Sequence, residues 1–266
     1  MTKILVGADP ELFVKQNGKH VSGYGLIPGD KIEPHKVDKG AVQVDGMALE
    51  FNIDPAADEQ EFITNLDTVM GILAKMVPEH EVVADPVAHF TKEYMATQPF
   101  KALELGCEPD YNAWTGQENV KPDGDKPFRT GAGHVHVGVI EGADPTNPDF
   151  FKVCCDANRE MDVFLGLPSL FYDADAERRE LYGKAGAFRP KSYGFEYRTL
   201  SNAWLRNEGL MRWVYKATQN CMKGFLDGDR LADKYAKSVD IQEIINTSNK
   251  KEASKIIRDA GLLMPA

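Results

Sequence analysis

The sequence predicts an α+β fold in which a mostly antiparallel sheet carries its helices on one face. Three observations lead there. Short β-type runs follow one another in meander order through the N-terminal half, punctuated by Gly and Pro. The longest helical patterns come late and do not alternate strictly with strands, which disfavours a doubly wound sheet. Along several runs polar and apolar residues alternate, so each strand would turn one face to the core and one polar face away from it.

Taken in order, residues 11–15, 20–24, 41–44, 48–53, 81–84, 102–106 and 134–140 read as strands. Residues 58–77 form an amphipathic helix, with Phe62, Leu66, Val69, Met70, Leu73 and Met76 at helical spacing and Pro78 as its stop. Residues 150–165 read as a second helix bearing Phe151, Cys155, Met161, Phe164 and Leu165, ended by Pro168. Residues 193–200 follow as a strand and 207–226 as a long helix with Leu210, Val214 and Phe225. Residues 241–245 and 253–263 look like short closing helices. No repeat, low-complexity tract or linker interrupts the chain, and residues 1–266 are expected to form a single domain.

Of the 266 residues 42% are hydrophobic and 27% charged, a globular mix. No run approaches the roughly 18–20 apolar residues of a bilayer span, and Asp9 and Glu11 come too early for a signal peptide. The expectation is a soluble, cytoplasmic protein without a membrane partner. Lys and Arg number 31 against 41 Asp and Glu, a formal charge of −10. Such a chain repels phosphate backbones, so nucleic acid is not an expected partner. A small phosphate ligand held by local arginines or by metal ions remains compatible. Cys107, Cys154, Cys155 and Cys221 form no C-x-x-C pair and read as reduced, mostly buried thiols. There is no G-x-G-x-x-G, no G-x-x-x-x-G-K-[ST] and no G-x-S-x-G.

The chemistry lies in paired residues two apart. Asp9 and Glu11, His134 and His136, and Glu196 and Arg198 are each spaced so that a strand projects both from one face. Leu12, Val135, Val137 and Tyr197 would point the other way. Asp45 and Glu50 flank a further strand on which Leu49 and Phe51 face the core. Singly each pair is also what a solvated strand face or a surface ion pair looks like. If the strands neighbour one another, however, Asp9, Glu11, Asp45, Glu50, His134 and Glu196 share one face. Five carboxylates cannot stay ionised together unless cations neutralise them. Oxygen-rich ligation with one imidazole suits Mg²⁺ or Mn²⁺, and the carboxylate count suggests two or more ions. Arg178, Arg179, Lys184, Arg189, Lys191 and Arg198, threaded with Gly183, Gly186 and Gly194, read as a loop that clamps a polyphosphate, or as a solvated loop balanced by Glu177 and Glu180.

Residues 131–136, Gly-Ala-Gly-His-Val-His, resemble the glycine-rich H-x-H strand of glutamine synthetases. Glu196-Tyr197-Arg198 resembles the E-x-R strand shared by glutamine synthetases and glutamate–cysteine ligases, and Asp9-Pro10-Glu11 sits where those ligases carry a paired acidic strand. From Gly7 to Trp204 the chain is similar to the phage-encoded carboxylate–amine ligase family of that superfamily. The resemblance implies a curved, mostly antiparallel glutamine-synthetase-like sheet, helices on its convex face, and ATP among the metals. It implies Glu11, His134 and Glu196 as ligands, with Asp9, Asp45 and Glu50 completing the ion sites. His136 would face the nucleotide, Arg189 and Arg179 would hold ATP phosphates, and Arg198 would contact the transferred phosphate or the substrate carboxylate. Residues 107–114 have no counterpart in glutamine synthetase, and chemistry alone makes Glu108 and Asp110 candidates for binding or deprotonating the amine.

A carboxylate does not acylate an amine in water, because its leaving group is poor. Phosphorylation by ATP gives an acyl phosphate that an amine can attack, and metals with arginines would shield the charges that must meet. The expected activity is therefore an ADP-forming carboxylate–amine ligase acting on a small-molecule or peptide carboxylate and an amine. A two-metal hydrolase of a phosphoester or amide would use the same carboxylates without needing the arginines. A non-catalytic phage protein that kept the fold would bind neither metal nor nucleotide. Removing Glu11 or Glu196 is expected to leave the fold intact or even relieve repulsion.

Overall fold

The computed structural model describes residues 3–105, 109–121, 126–173 and 175–265. The strands are β1 (Leu5–Gln16), β2 (Lys19–Val21), β3 (His35–Val37), β4 (Gly40–Asp45), β5 (Ala48–Ile53), β6 (Glu81–Val83), β7 (Val87–His89), β8 (Tyr111–Asn112), β9 (Gln117–Glu118), β10 (Phe128–Thr130), β11 (Gly133–Gly138), β12 (Ala187–Lys191) and β13 (Gly194–Tyr197). The helices are α1 (Glu59–Met76), α2 (Lys92–Ala96), α3 (Phe100–Leu103), α4 (Pro148–Met161), α5 (Leu167–Ser169), α6 (Glu208–Asp227), α7 (Leu231–Ala236), α8 (Ile241–Asn246) and α9 (Lys250–Ala260). A π-helical turn, Asp162–Gly166, joins α4 to α5.

Among the described residues the main sheet runs β3-β4-β5-β1-β11-β13-β12-β8-β9, with β2 and β6 also paired to β1. Each of these pairings is antiparallel. A separate pair joins β10 to β7. The central strands bury alternate residues: Val6, Leu12 and Val14 of β1, Leu49 and Phe51 of β5, Val135 and Val137 of β11, Phe195 and Tyr197 of β13. Against that face lie Phe62, Leu66 and Leu73 of α1, Met161 of α4, and Leu210, Val214 and Phe225 of α6. Burying each such side chain contributes roughly 1.5–3 kcal/mol, and this is why the strands hold the register that keeps their polar residues on the opposite face.

Local signals explain the helix ends. Asp58 caps α1 by accepting from Glu61 N at 2.8 Å, Asn147 caps α4 ahead of Pro148, and Asn207 caps α6 by accepting from Leu210 N at 2.8 Å. Asp45↔Ala48 closes a tight hairpin between β4 and β5, and Gly46 supplies its left-handed corner at φ 57°. Asp45 and Glu50 therefore sit on two paired strands and do not flank one.

Other expectations also need correcting. Residues 102–105, read as part of a strand, enter or follow the helical turn α3 after Pro99, because so short an apolar run carries no distinguishing period. Pro168 does not end the second helical stretch. The helical run continues without a break through the π-helical turn into α5, which includes Pro168. The supposed loop 178–198 contains β12, whose Pro190 pairs only on the β13 side, beyond the last rung with β8. Cys154, Cys155 and Cys221 are buried free thiols, and Cys107 lies outside the described residues.

Candidate functional site

Register brings the paired residues together. Glu11 lies opposite Glu50, and Gln43 opposite Glu50 on its other side. Asp9 lies opposite His134, His136 opposite Glu196, and Glu196 opposite Arg189. Cross-strand partners share a face, as do residues two apart. Hence Asp45, Gln43, Glu50, Glu11, Asp9, His134, His136, Glu196, Arg198, Arg189 and Lys191 all belong to the face opposite the helices. One end of this face is closed by Phe13, Met47, Phe90 and Ala102, which pack as a small apolar cluster.

The residues around His134 are held closely because the glycines before it admit another segment. A Cβ on Gly133 would lie 2.2 Å from Ser201 O and 2.3 Å from Trp204 Nε1, so only glycine lets the 201–204 segment press against β11. Ala132 N in the same stretch donates to Glu11 Oε2 at 3.0 Å.

Two neighbourhoods result. In the first, His136 Nε2 lies 2.9 Å from Asp9 Oδ1, and His134 Nδ1 lies 3.3 Å from both Asp9 Oδ1 and Glu196 Oε1. Glu196, 1% exposed, meets Arg198 through Oε1, with Arg189 at 3.3 Å and Lys191 at 3.2 Å from Oε2. Arg198 also reaches Asp110 Oδ2 at 3.0 Å, Asp110 Oδ1 accepts from Asn119 at 3.0 Å, and Arg189 donates to Pro109 O at 3.2 Å. Tyr193 OH is bonded to His136 Nδ1. In the second neighbourhood, Glu11, Glu50 and Asp45 face one another. Gln43 donates to Glu50 Oε2 at 2.6 Å, and Lys31 lies 2.9 Å from Asp45 Oδ1.

The electrostatics follow that division. Burial works against an ionised Asp9, but His136 and His134 outweigh it and hold its carboxyl well below the usual range. Burial likewise opposes Glu196, and Arg198 with both histidines pulls it down. Burial, then Asp45, pushes Glu11 up to about 7. Burial, then Asp9, Asp45 and Glu11, raises Glu50 well above an ordinary glutamate. Burial lowers His134, Arg198 reinforcing it, whereas Asp9 overcomes burial to raise His136.

This arrangement fits a divalent cation. Asp9 Oδ1 and His136 Nε2 are buried, lie 2.9 Å apart and have no other hydrogen-bond partner among the described residues. Ligand atoms of Asp9, His136 and Glu196 lie within 4.8 Å of one another. Glu11, Glu50 and Asp45 add oxygen donors whose mutual repulsion a cation would relieve.

The site differs in detail from the sequence reading. His136, expected to face a nucleotide, stands within the set that could ligate, beside His134. Arg179 donates to Asp175 O at 3.0 Å and Ser248 Oγ at 3.1 Å, and among the described residues it pairs with none of the carboxylates of the acidic face. Arg178 is buried and ties Gly131, Thr199 and Leu200 together through their carbonyls, a structural clasp for the ends of the two site strands. Asp110 joins the site through Arg198, and Glu108 lies outside the described residues. Lys31, Gln43 and Tyr193 were missed. Gln43 alone was within reach of sequence reasoning, being two residues before Asp45 on an alternating strand.

No described helix is long and apolar enough to cross a membrane. Residues 124–257 match the family described as phage phiEco32-like COOH.NH2 ligase-type 2. No curated protein matches the chain.

Proposed function

Because the chain belongs to the phage phiEco32-like COOH.NH2 ligase-type 2 family, we propose that it is an ATP-dependent carboxylate–amine ligase that forms an amide or peptide-like bond through an acyl phosphate. One observation supports this beyond the family: a buried carboxylate, Glu196, stands between orphaned cation-ligating atoms and three basic side chains on one sheet face. A two-metal hydrolase would have use for the acidic half of that face but not for the basic half.

In this reading Asp9, Glu11, Asp45, Glu50, His134 and Glu196 would hold two or more Mg²⁺ or Mn²⁺ ions, and His136 would join them or meet the nucleotide. The ions would neutralise the triphosphate and polarise its γ-phosphoryl group. Arg189 contacts the phosphates. Arg179, directed toward Asp175 and Ser248, supports the loop instead. Arg198 orients the substrate carboxylate for in-line attack on the γ-phosphorus. That step forms a bond from the carboxylate oxygen to the γ-phosphorus and breaks the bond from the γ-phosphorus to the bridging oxygen, which leaves as ADP. The amine then attacks the acyl carbon, phosphate departs, and the ammonium proton passes to a carboxylate, with Asp110 and Glu108 as the candidates. Arg198 pairs with both Glu196 and Asp110, so it links the metal carboxylates to the acceptor side.

The test is a screen for ADP and phosphate release over carboxylate and amine libraries with Mg·ATP. Amine-dependent ADP release that disappears in Glu196→Gln is the expected result. Turnover of phosphoesters without ATP would favour the hydrolase. Absence of both Mg·ATP binding and turnover would leave a non-catalytic protein that retained the fold.

A further inference from the structure

The turn between β12 and β13 carries a side chain that the ligase reading leaves without a role. Lys191 pairs with Gly194 across this turn, so Ser192 and Tyr193 form its tip. The tip is clamped against the end of β11. Tyr193 O accepts from Val139 N at 3.0 Å and Ile140 N at 3.3 Å, and Ser192 O accepts from Ala143 N at 2.9 Å. Gly194 permits so close an approach: its φ is 147°, and a Cβ there would lie 2.1 Å from Val137 O. Held in this way, the turn sets the Tyr193 hydroxyl on His136 Nδ1, with the two ring centroids 6.0 Å apart.

The other ring nitrogen of His136 meets the carboxylates. Nε2 lies 2.9 Å from Asp9 Oδ1 and has no other partner among the described residues. Asp9, His136 and Glu196 each bring a ligand atom within 4.8 Å of the others. A neutral imidazole has one proton to place. If Tyr193 donates to Nδ1, that proton sits on Nε2, and Nε2 cannot ligate. If Nδ1–H donates to the Tyr193 oxygen, Nε2 turns a lone pair toward Asp9, an arrangement that a cation would complete. Tyr193 loses little by accepting, because it is exposed at the turn and its own proton can face water.

Resting on the ligase reading above, we propose that Tyr193 is a positioning residue of the cation site: its oxygen accepts from Nδ1–H and so commits His136 Nε2 to the metal. Outer partners of this kind fix the tautomer and the orientation of a metal-binding histidine. Of the two roles left to His136, this assigns it to the cation beside Asp9 and Glu196, and not to the nucleotide.

Two measurements on the full chain at pH 8 test this. The first follows the His136 ring nitrogens by 15N NMR with Mg²⁺ saturating, the signals being assigned by their loss in His136→Gln. A protonated Nδ1 and an unprotonated Nε2 are expected. The second titrates Mn²⁺ through the EPR signal of the free ion. Tyr193→Phe should weaken Mn²⁺ binding by about tenfold to 100-fold, as loss of such an outer partner does, and should move part of the His136 proton to Nε2. A hydroxyl that only braces the turn would lower the Tm of Tyr193→Phe and leave both readouts unchanged, which overturns the proposal. A proton on Nε2 in the Mg²⁺-loaded wild type also overturns it, and leaves the ligase reading intact with His136 at the nucleotide. If neither Mg²⁺ nor Mn²⁺ bound the wild-type chain, the cation site of the ligase reading would fall first and the role of Tyr193 with it.

Discussion

Glu11 and Glu196 lie on the same sheet face two strands apart, and their surroundings drive them in opposite directions. Glu196 is enclosed by Arg198, Arg189 and Lys191, while Glu11 sees Asp45 and Glu50. Relief of repulsion on losing the carboxylate is therefore expected at Glu11 and not at Glu196. Without metal at pH 8, Glu11→Gln should raise Tm by roughly 3–6 °C, from about 1–2 kcal/mol of relieved burial and repulsion. Glu196→Gln should lower it, because three basic groups lose a buried partner, a loss of about 3 kcal/mol. Thermal melts of the two variants would show this divergence of sign, and a stabilised Glu196→Gln would refute the geometry drawn around it. Arg198→Lys should cut amine-dependent ADP release by roughly 100-fold or more, since Lys cannot span Glu196 and Asp110 with one planar fork.

At the scale of elements, the site depends on how tightly β11 is backed. Gly133 has Ser201 O and Trp204 Nε1 where a Cβ would go, and Trp204 Nε1 donates to Gly133 O at 3.0 Å. Gly133→Ala should destabilise by about 1–3 kcal/mol and move His134 out of line with Asp9. Chemical denaturation would measure the first effect and the His134 imidazole NMR resonances the second. From behind, Asp162 at the π-helical turn accepts from Trp114 Nε1 at 2.7 Å and Tyr197 OH at 2.8 Å. Tyr197 sits between Glu196 and Arg198, so this buried contact holds the strand that aims both of them.

For the whole molecule, pH and metal act together. The Glu11 carboxyl is raised from 4.5 to about 7, so the stability it contributes is full below about pH 4.5 and lost as pH rises through 7. Asp9 and Glu196 are depressed, and their contribution is lost only as pH falls below the ordinary carboxylate range. The two histidines are shifted in opposite senses. Metal-free protein should therefore lose stability from pH 5 to pH 8, and Mg²⁺ should restore it most at the alkaline end. At 100 times its Kd the ion would contribute about 2.7 kcal/mol. Melting curves across that range with and without Mg²⁺ check this, and a metal effect independent of pH would contradict the acidic pair's role.

Strand alternation was legible without coordinates, because a period of two is a local property. It placed Asp9, Glu11, His134, His136, Glu196 and Arg198 on polar faces and buried Leu12, Val135, Val137 and Tyr197. Helix starts near Asp58 and Asn207 were legible from equally local signals, and the structure adds that these residues are the caps. What a chain cannot express locally is which strands become neighbours, since pairing β1 with β11 joins residues more than a hundred positions apart through a shared apolar face. That pairing set His136 beside Asp9, with its Nε2 2.9 Å from Asp9 Oδ1. The packing of buried groups then turned Arg178 and Arg179 to carbonyls and hydroxyls, leaving β12 and β13 to supply the cations that surround Glu196.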